Sequence, residues 1–302
     1  MSGPTVVEWS PPPLGGDHDR MTDTSRRTVL TALATATVAA PLLGAATAAP
    51  AHATAEGDLY ASNTDLYRAL AGQEGTEFAR RYKRHEFLDH SYSARYPYNR
   101  TTVVAMHGGG IEMGTSELCF GIAGYHPADL QPLGDGLGVH DYWMFEGLRG
   151  SDNRELHVTA KNNDDHVCQS MVRSSLNVLS LHGCTAAQAH TADPRAVVVG
   201  GLNERFKTLL KAEFDRVGIA WKDGNDPEVR DLAGVNPANP CNRTMLGKGG
   251  QLELTTELRA AMFTVNTRAG RAGSTTATYW DFVRACRTAI AKLHADADQT
   301  VL

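Results

Sequence analysis

The chain has 302 residues, 42% of them hydrophobic and 21% charged, with a net charge of −5. That balance is ordinary for a globular protein. It excludes the basic face or high pI of a nucleic-acid binder, and any contact with a polyanion must come from a few local arginines rather than a bulk field.

The N-terminal stretch does not read as globular. Arg26 and Arg27 stand before an Ala/Thr/Leu-rich segment that runs to Ala49, and Ala51-His52-Ala53 follows. This is the order of an export signal: basic region, weakly apolar region, small-x-small cleavage site. The paired arginines point to the twin-arginine route. A membrane anchor would need about 20 strongly apolar residues, and Thr28, Thr31, Thr35 and Thr37 interrupt this segment. Residues 1–53 are therefore expected to be a leader and export signal cut after Ala53, with Met21 as a second possible start. Residues 54–302 are expected to be one secreted, monomeric domain with no stable membrane association. Losing Arg20, Arg26 and Arg27 with Glu8, Asp17, Asp19 and Asp23 leaves 26 basic and 30 acidic side chains.

In chain order, 64–72 suits a helix, and the rest of 54–100 reads as an irregular, tyrosine-rich lead-in. Apolar or alternating runs predict strands at 102–107, 141–146, 155–159, 177–182, 196–200 and 250–254. Helical spacing predicts helices near 115–123, 165–174, 203–217, 256–263 and 277–296, the last carrying Trp280, Val283, Ile290 and Leu293 on one face. The Gly/Pro/Asn-rich stretch 223–250 reads as a loop walling the active site. Strands alternating with helices predict an α/β fold, a three-layer α/β/α sandwich with a mostly parallel or mixed open sheet. Ligands in such sheets bind at the carboxyl ends of strands.

Two histidines fall at such ends. His107 closes TVVAMH and is followed by three glycines and Glu112, and His182 closes NVLSLH. His107, Glu112 and His182 form a 2-His-1-carboxylate set, the ligand number of a hydrolytic zinc ion that keeps one position open for water. Both histidines abut glycine, which permits close approach of backbone or ligand. His126, His140, His157, His166 and His190 lie in polar contexts and read mostly as surface residues or as supports for the ligands.

In GQLELTTELR, Gln251, Glu253 and Thr255 share one strand face while Leu252 and Leu254 share the other. Glu253 is thus a carboxylate beside core leucines, a setting that raises its pKa toward the range of a general base. In GVNPANPCNR, Arg243 can pair bidentately with a carboxylate and Asn242 can donate to an oxyanion.

The motifs AxHGGGIExGTSE, FEG, LHVT, SLHGC, GGLN, NPxNxCNR and QLELTxELR follow in that order across about 100–263. Together they resemble the poly-γ-glutamate hydrolase family, zinc-dependent amidohydrolases with a zinc-carboxypeptidase-like fold. The resemblance implies zinc as cofactor on His107, Glu112 and His182, with Glu253 as the catalytic carboxylate. It implies Arg243 and Arg259 as partners for the α-carboxylates of an anionic polypeptide substrate. The His-x4-Glu spacing differs from the His-x-x-Glu of zinc carboxypeptidases, so Glu117 is a second, lesser candidate ligand. Two other readings stand beside this one: a secreted zinc amidase for cell-wall stem peptides, and an exported module that binds anionic polymer without cutting it. Cys184 and Cys241 belong to motifs expected at one crevice, so they suit either a disulfide or a pair of buried thiols.

Overall fold

In the computed structural model, residues 57–85 and 98–299 are described. The expected signal and its cleavage site lie outside them. The chain runs α1 (Asn63–Ala69), β1 (Phe78–Lys83), β2 (Thr101–Gly109), α2 (Thr115–Ala123), β3 (Asp141–Gly147), α3 (His166–Arg173), β4 (Asn177–Cys184) and α4 (Ala186–Ala189). It continues through β5 (Ala196–Gly200), α5 (Glu204–Val217), β6 (Ala220–Asp223), β7 (Gly250–Thr255), α6 (Thr256–Ala261) and α7 (Ala277–His294).

The seven strands form one open mixed sheet in the order β1-β3-β2-β4-β7-β5-β6. β2, β3, β4 and β7 are mutually parallel, β1 is antiparallel to β3, and β5 is antiparallel to β7. Strand alternation sorts the core into two faces. Val103, Ala105, Tyr142, Met144, Leu179, Leu181, Leu252 and Leu254 pack under α2, α5, α6 and α7, in one cluster with Phe206, Phe214, Tyr279 and Phe282. Val104, Met106, Trp143, Phe145 and Val178 pack on the other side with Leu66 of α1 and Met171 of α3. Helices thus cover both faces, which is the expected three-layer α/β/α sandwich.

Three expectations change. Segment 155–159 is no strand: the 3₁₀ turn Asn153–Leu156 takes its first two residues and the turn Ala160–Asn162 follows it. Its main chain bonds to side chains instead of a ladder, the Val158 carbonyl accepting from His107 Nε2 (2.9 Å) and the Thr159 amide donating to Asp58 (2.5 Å). The lead-in contains β1, whose FARRYK sequence suits the edge of the sheet, where charged side chains stay in water. β6, AWKD, is a four-residue strand at the opposite edge.

All five cysteines are buried free thiols. Cys241 sits against Gly249, just before β7, while Cys184 pairs with Thr255 at its far end. That separates them by about 16 Å of strand, too far for a disulfide.

Candidate active site

The parallel strands β2, β4 and β7 end side by side, and their last residues carry the chemistry. His182 and Glu253 are register partners across β4 and β7. On β2 the pairing with β3 shifts between Ala105 and Gly108. This bulge breaks the alternation and turns His107 toward the strand-end crevice. The chain then reverses tightly. The Gly110 amide donates to Gly147 O (2.9 Å) and the Glu112 amide to His107 O (2.8 Å), with Gly109 at φ +66°, a left-handed conformation natural to glycine. The turn brings Glu112 back beside His107.

The three predicted ligands meet. His107 Nδ1 lies 2.9 Å from Glu112 Oε1 and 3.2 Å from His182 Nδ1, and His182 Nδ1 lies 3.9 Å from Glu112 Oε2. The far nitrogens are occupied, His107 Nε2 donating to Val158 O (2.9 Å) and His182 Nε2 bonding Ser180 Oγ (2.8 Å). Each imidazole is thereby oriented with Nδ1 toward the other, as orienting partners do for metal-ligating histidines. Ligand atoms bound at 2.0–2.1 Å on a tetrahedral zinc ion stand about 3.3 Å apart, so the donor set fits that ion. The Gly183 amide holds Glu112 Oε2 from the other side (2.8 Å).

The titration directions separate the residues of the site. Burial opposes charge on His107, but the Glu112 carboxylate outweighs it and raises the pKa of the imidazole. Burial likewise opposes charge on Glu112, yet His107, then His182 and His157, hold it well below the usual carboxylate range. Burial lowers His182 to about 3, which keeps it neutral. Glu253 is buried and faces the charge of Glu112, and both effects push its pKa well up. Gln251 Nε2 donates to Glu253 Oε1 (2.9 Å) and Asn239 donates to Gln251 Oε1 (2.8 Å), so the loop before β7 positions this carboxylate.

The remaining predicted residues part ways. Arg243 is half buried and donates to Gln169 Oε1 (2.6 Å); among the described residues it has no carboxylate partner. Asn242 is fully used: its amide donates to Gly234 O (2.8 Å) and Asn236 O (3.0 Å) while its oxygen accepts from the Leu202 and Gly249 amides. No hydrogen remains for an oxyanion, so it shapes the loop. Arg259, also expected at the substrate, is buried beneath Gly183 and donates to Leu254 O, Met113 O and Thr256 Oγ1. It anchors the turn that carries Glu112. Glu117 faces Arg271 (3.1 Å) and lies outside the histidine cluster.

One residue reaches the site that the sequence reading left at its margin. His157 stacks on His107 with ring centroids 3.9 Å apart, and its Nε2 lies 3.9 Å from Glu112 Oε1. His107, Glu112 and His157 place one ligand atom each within 4.8 Å of one another. The His107 and His157 rings stack at 30°, whereas His107 and His182 meet at 65° with their Nδ1 atoms 3.2 Å apart, close to the ligand spacing on a tetrahedral ion. The latter pair is the better clasp for one ion.

Residues 76–285 match the family model described as poly-gamma-glutamate hydrolase. The chain belongs to the poly-γ-glutamate hydrolase family. The match reaches beyond the motif-bearing region on both sides, taking in β1 and the first half of α7. The SPbeta prophage-derived protein YoqZ of Bacillus subtilis (strain 168) is 30% identical over 184 residues, covering 61% of this chain and 59% of YoqZ. YndL of the same organism is 27% identical over 180 residues, 60% of this chain and 63% of YndL. The chain therefore spans about three fifths of the length of these curated relatives. Among solved structures, a bacteriophage poly-γ-glutamate hydrolase superposes with a TM-score of 0.63 at 26% identity, covering 78% of this chain and 98% of the phage protein. The zinc-free apo form of YndL superposes with a TM-score of 0.59 at 24% identity, covering 76% and 95%. Both share the mixed open sheet of this hydrolase family.

Proposed function

We propose that this chain is an exported, zinc-dependent amidohydrolase that cleaves the γ-glutamyl amide bonds of poly-γ-glutamate. The observation that carries the reading is the convergence of His107 Nδ1, His182 Nδ1 and Glu112 at 2.9–3.9 Å beside Glu253, in a member of this hydrolase family. The zinc-free apo form of YndL supports the choice of metal, and Arg26-Arg27 with Ala51-His52-Ala53 supports export.

His107, Glu112 and His182 would hold the ion, which when bound lowers the pKa of water and polarises the scissile carbonyl. The other steps belong to the chain. Glu253, with a raised pKa, takes the proton of the attacking water and passes it to the leaving amine. Gln251 keeps that carboxylate aimed into the crevice. Arg243, half buried and with no carboxylate partner among the described residues, supplies a fork for the free α-carboxylate of a γ-linked glutamate.

Arg243→Lys is expected to raise KM for the polymer about tenfold or more, the cost of one lost bidentate contact of about 1.5 kcal/mol, with zinc stoichiometry unchanged. Steady-state kinetics and metal analysis on the same preparation check this. Equal loss of zinc and turnover would remove the clamp role. The proposal as a whole is tested by the chain length of poly-γ-glutamate after incubation. Shortening of the polymer is expected. An intact polymer with cleaved cell-wall stem peptides would move the substrate to the wall.

A further inference from the structure

His157 owes its position to a segment that precedes the family-matched region. Asp58, 2% exposed, accepts from His157 Nδ1 through Oδ1 (2.6 Å) and from the Thr159 amide through Oδ2 (2.5 Å). The neighbouring residues fasten the same loop point by point. Asn63 Oδ1 accepts from Asn163 (2.8 Å), the Thr64 amide donates to Asp164 (2.8 Å), and Tyr67 donates to Asp165 (2.9 Å). Residues 58–67 therefore strap the segment 157–165 across the end of the sheet, all of them upstream of residue 76, where the family match begins.

The bond to Asp58 decides which nitrogen of His157 carries hydrogen. A carboxylate accepts only, so Nδ1 must donate, and Nε2 keeps its lone pair. That lone pair lies 3.9 Å from Glu112 Oε1, with the His157 side chain 14% exposed. Two acceptors so placed call for a hydrogen-bond donor between them.

We propose that the N-terminal strap is part of the working site: Asp58 is a positioning residue that sets the tautomer of His157, and His157 Nε2 accepts a hydrogen bond from the attacking water. This rests on the hydrolase reading above. Four full-length variants test it beside the parent chain: Asp58→Asn, Asp58→Ala, His157→Gln and His157→Ala. In Asp58→Asn the side-chain amide can turn its oxygen to the Thr159 amide and its NH₂ to His157, which inverts the tautomer and points a donor where an acceptor belongs. The expected result is a fall in kcat of about 10²-fold with KM, zinc stoichiometry and melting temperature nearly unchanged. His157→Gln, which retains an acceptor at the same reach, should keep more activity than His157→Ala. The ¹⁵N shifts of the His157 ring should show the hydrogen on Nδ1 in the parent chain and on Nε2 in Asp58→Asn.

Parallel losses of zinc, melting temperature and turnover in Asp58→Asn and Asp58→Ala would overturn the proposal and leave the strap as packing. So would a parent chain with the hydrogen on Nε2. Undiminished kcat in Asp58→Asn overturns it alone, leaving the proposed function intact. A parent chain that leaves the polymer whole contradicts the proposed function and overturns this inference with it.

Discussion

Replacing His182 by alanine is expected to take zinc from about one ion per chain to near none and to lower turnover by about 10³-fold or more. The loss follows from what a metal-polarised carbonyl contributes to the barrier, several kcal/mol at about 1.4 kcal/mol per decade. His182 is one of two imidazoles whose Nδ1 atoms stand 3.2 Å apart with their other nitrogens already spoken for. Removing it leaves His107 and Glu112, too few ligands for a tight site. Metal analysis after gel filtration, with circular dichroism to confirm the fold, reads the outcome. Full zinc in the His182→Ala protein would transfer the third ligand to His157, which also lies within reach of Glu112.

Glu253→Gln separates chemistry from metal. Glutamine keeps the size and hydrogen-bonding reach of the side chain and cannot carry a proton between water and amine. A fall in kcat of about 10²–10⁴-fold is expected, the usual contribution of a positioned general base, with zinc retained and KM little changed. The same variant has a stability signature. In the zinc-free fold, burial and then the Glu112 charge raise the Glu253 pKa well above its ordinary 4.5. The folded state then binds a proton that the unfolded state releases, so stability contributed by this group falls as pH rises from about 4.5 through the folded value. Denaturant titrations of the zinc-free proteins should show that slope in the parent chain and its loss in Glu253→Gln. A variant that keeps full turnover would remove Glu253 from the reaction.

The sequence carried the parts of this site whose logic is local. Helix Thr115–Ala123 stands where its periodicity predicts, and the alternation in QLEL places Glu253 opposite Leu252 and Leu254 as expected. The meeting of His107, Glu112 and His182 is legible because two strand endings and one glycine turn are short-range patterns. What failed depends on partners far away in the chain. β1 is a strand only because β3 offers it an edge, and its three basic residues hide it from a hydrophobic pattern. Segment 155–159 has strand-like alternation, but its main-chain groups are taken by His107 and Asp58. Asn242 and Arg259 have the right chemistry for substrate, and only their filled hydrogen bonds show that they serve the backbone. The tie between Asp58 and His157 spans 99 positions and leaves no local mark.

The most direct test pairs two readings on one preparation of the chain processed after Ala53: zinc per chain, and poly-γ-glutamate length after incubation with and without a chelator. One zinc ion per chain, with shortening of the polymer that the chelator stops and added zinc restores, is the predicted result. A chain that binds no zinc, or that cuts the polymer equally well after the metal is stripped, would contradict the proposed assignment of His107, Glu112 and His182 as a metal site.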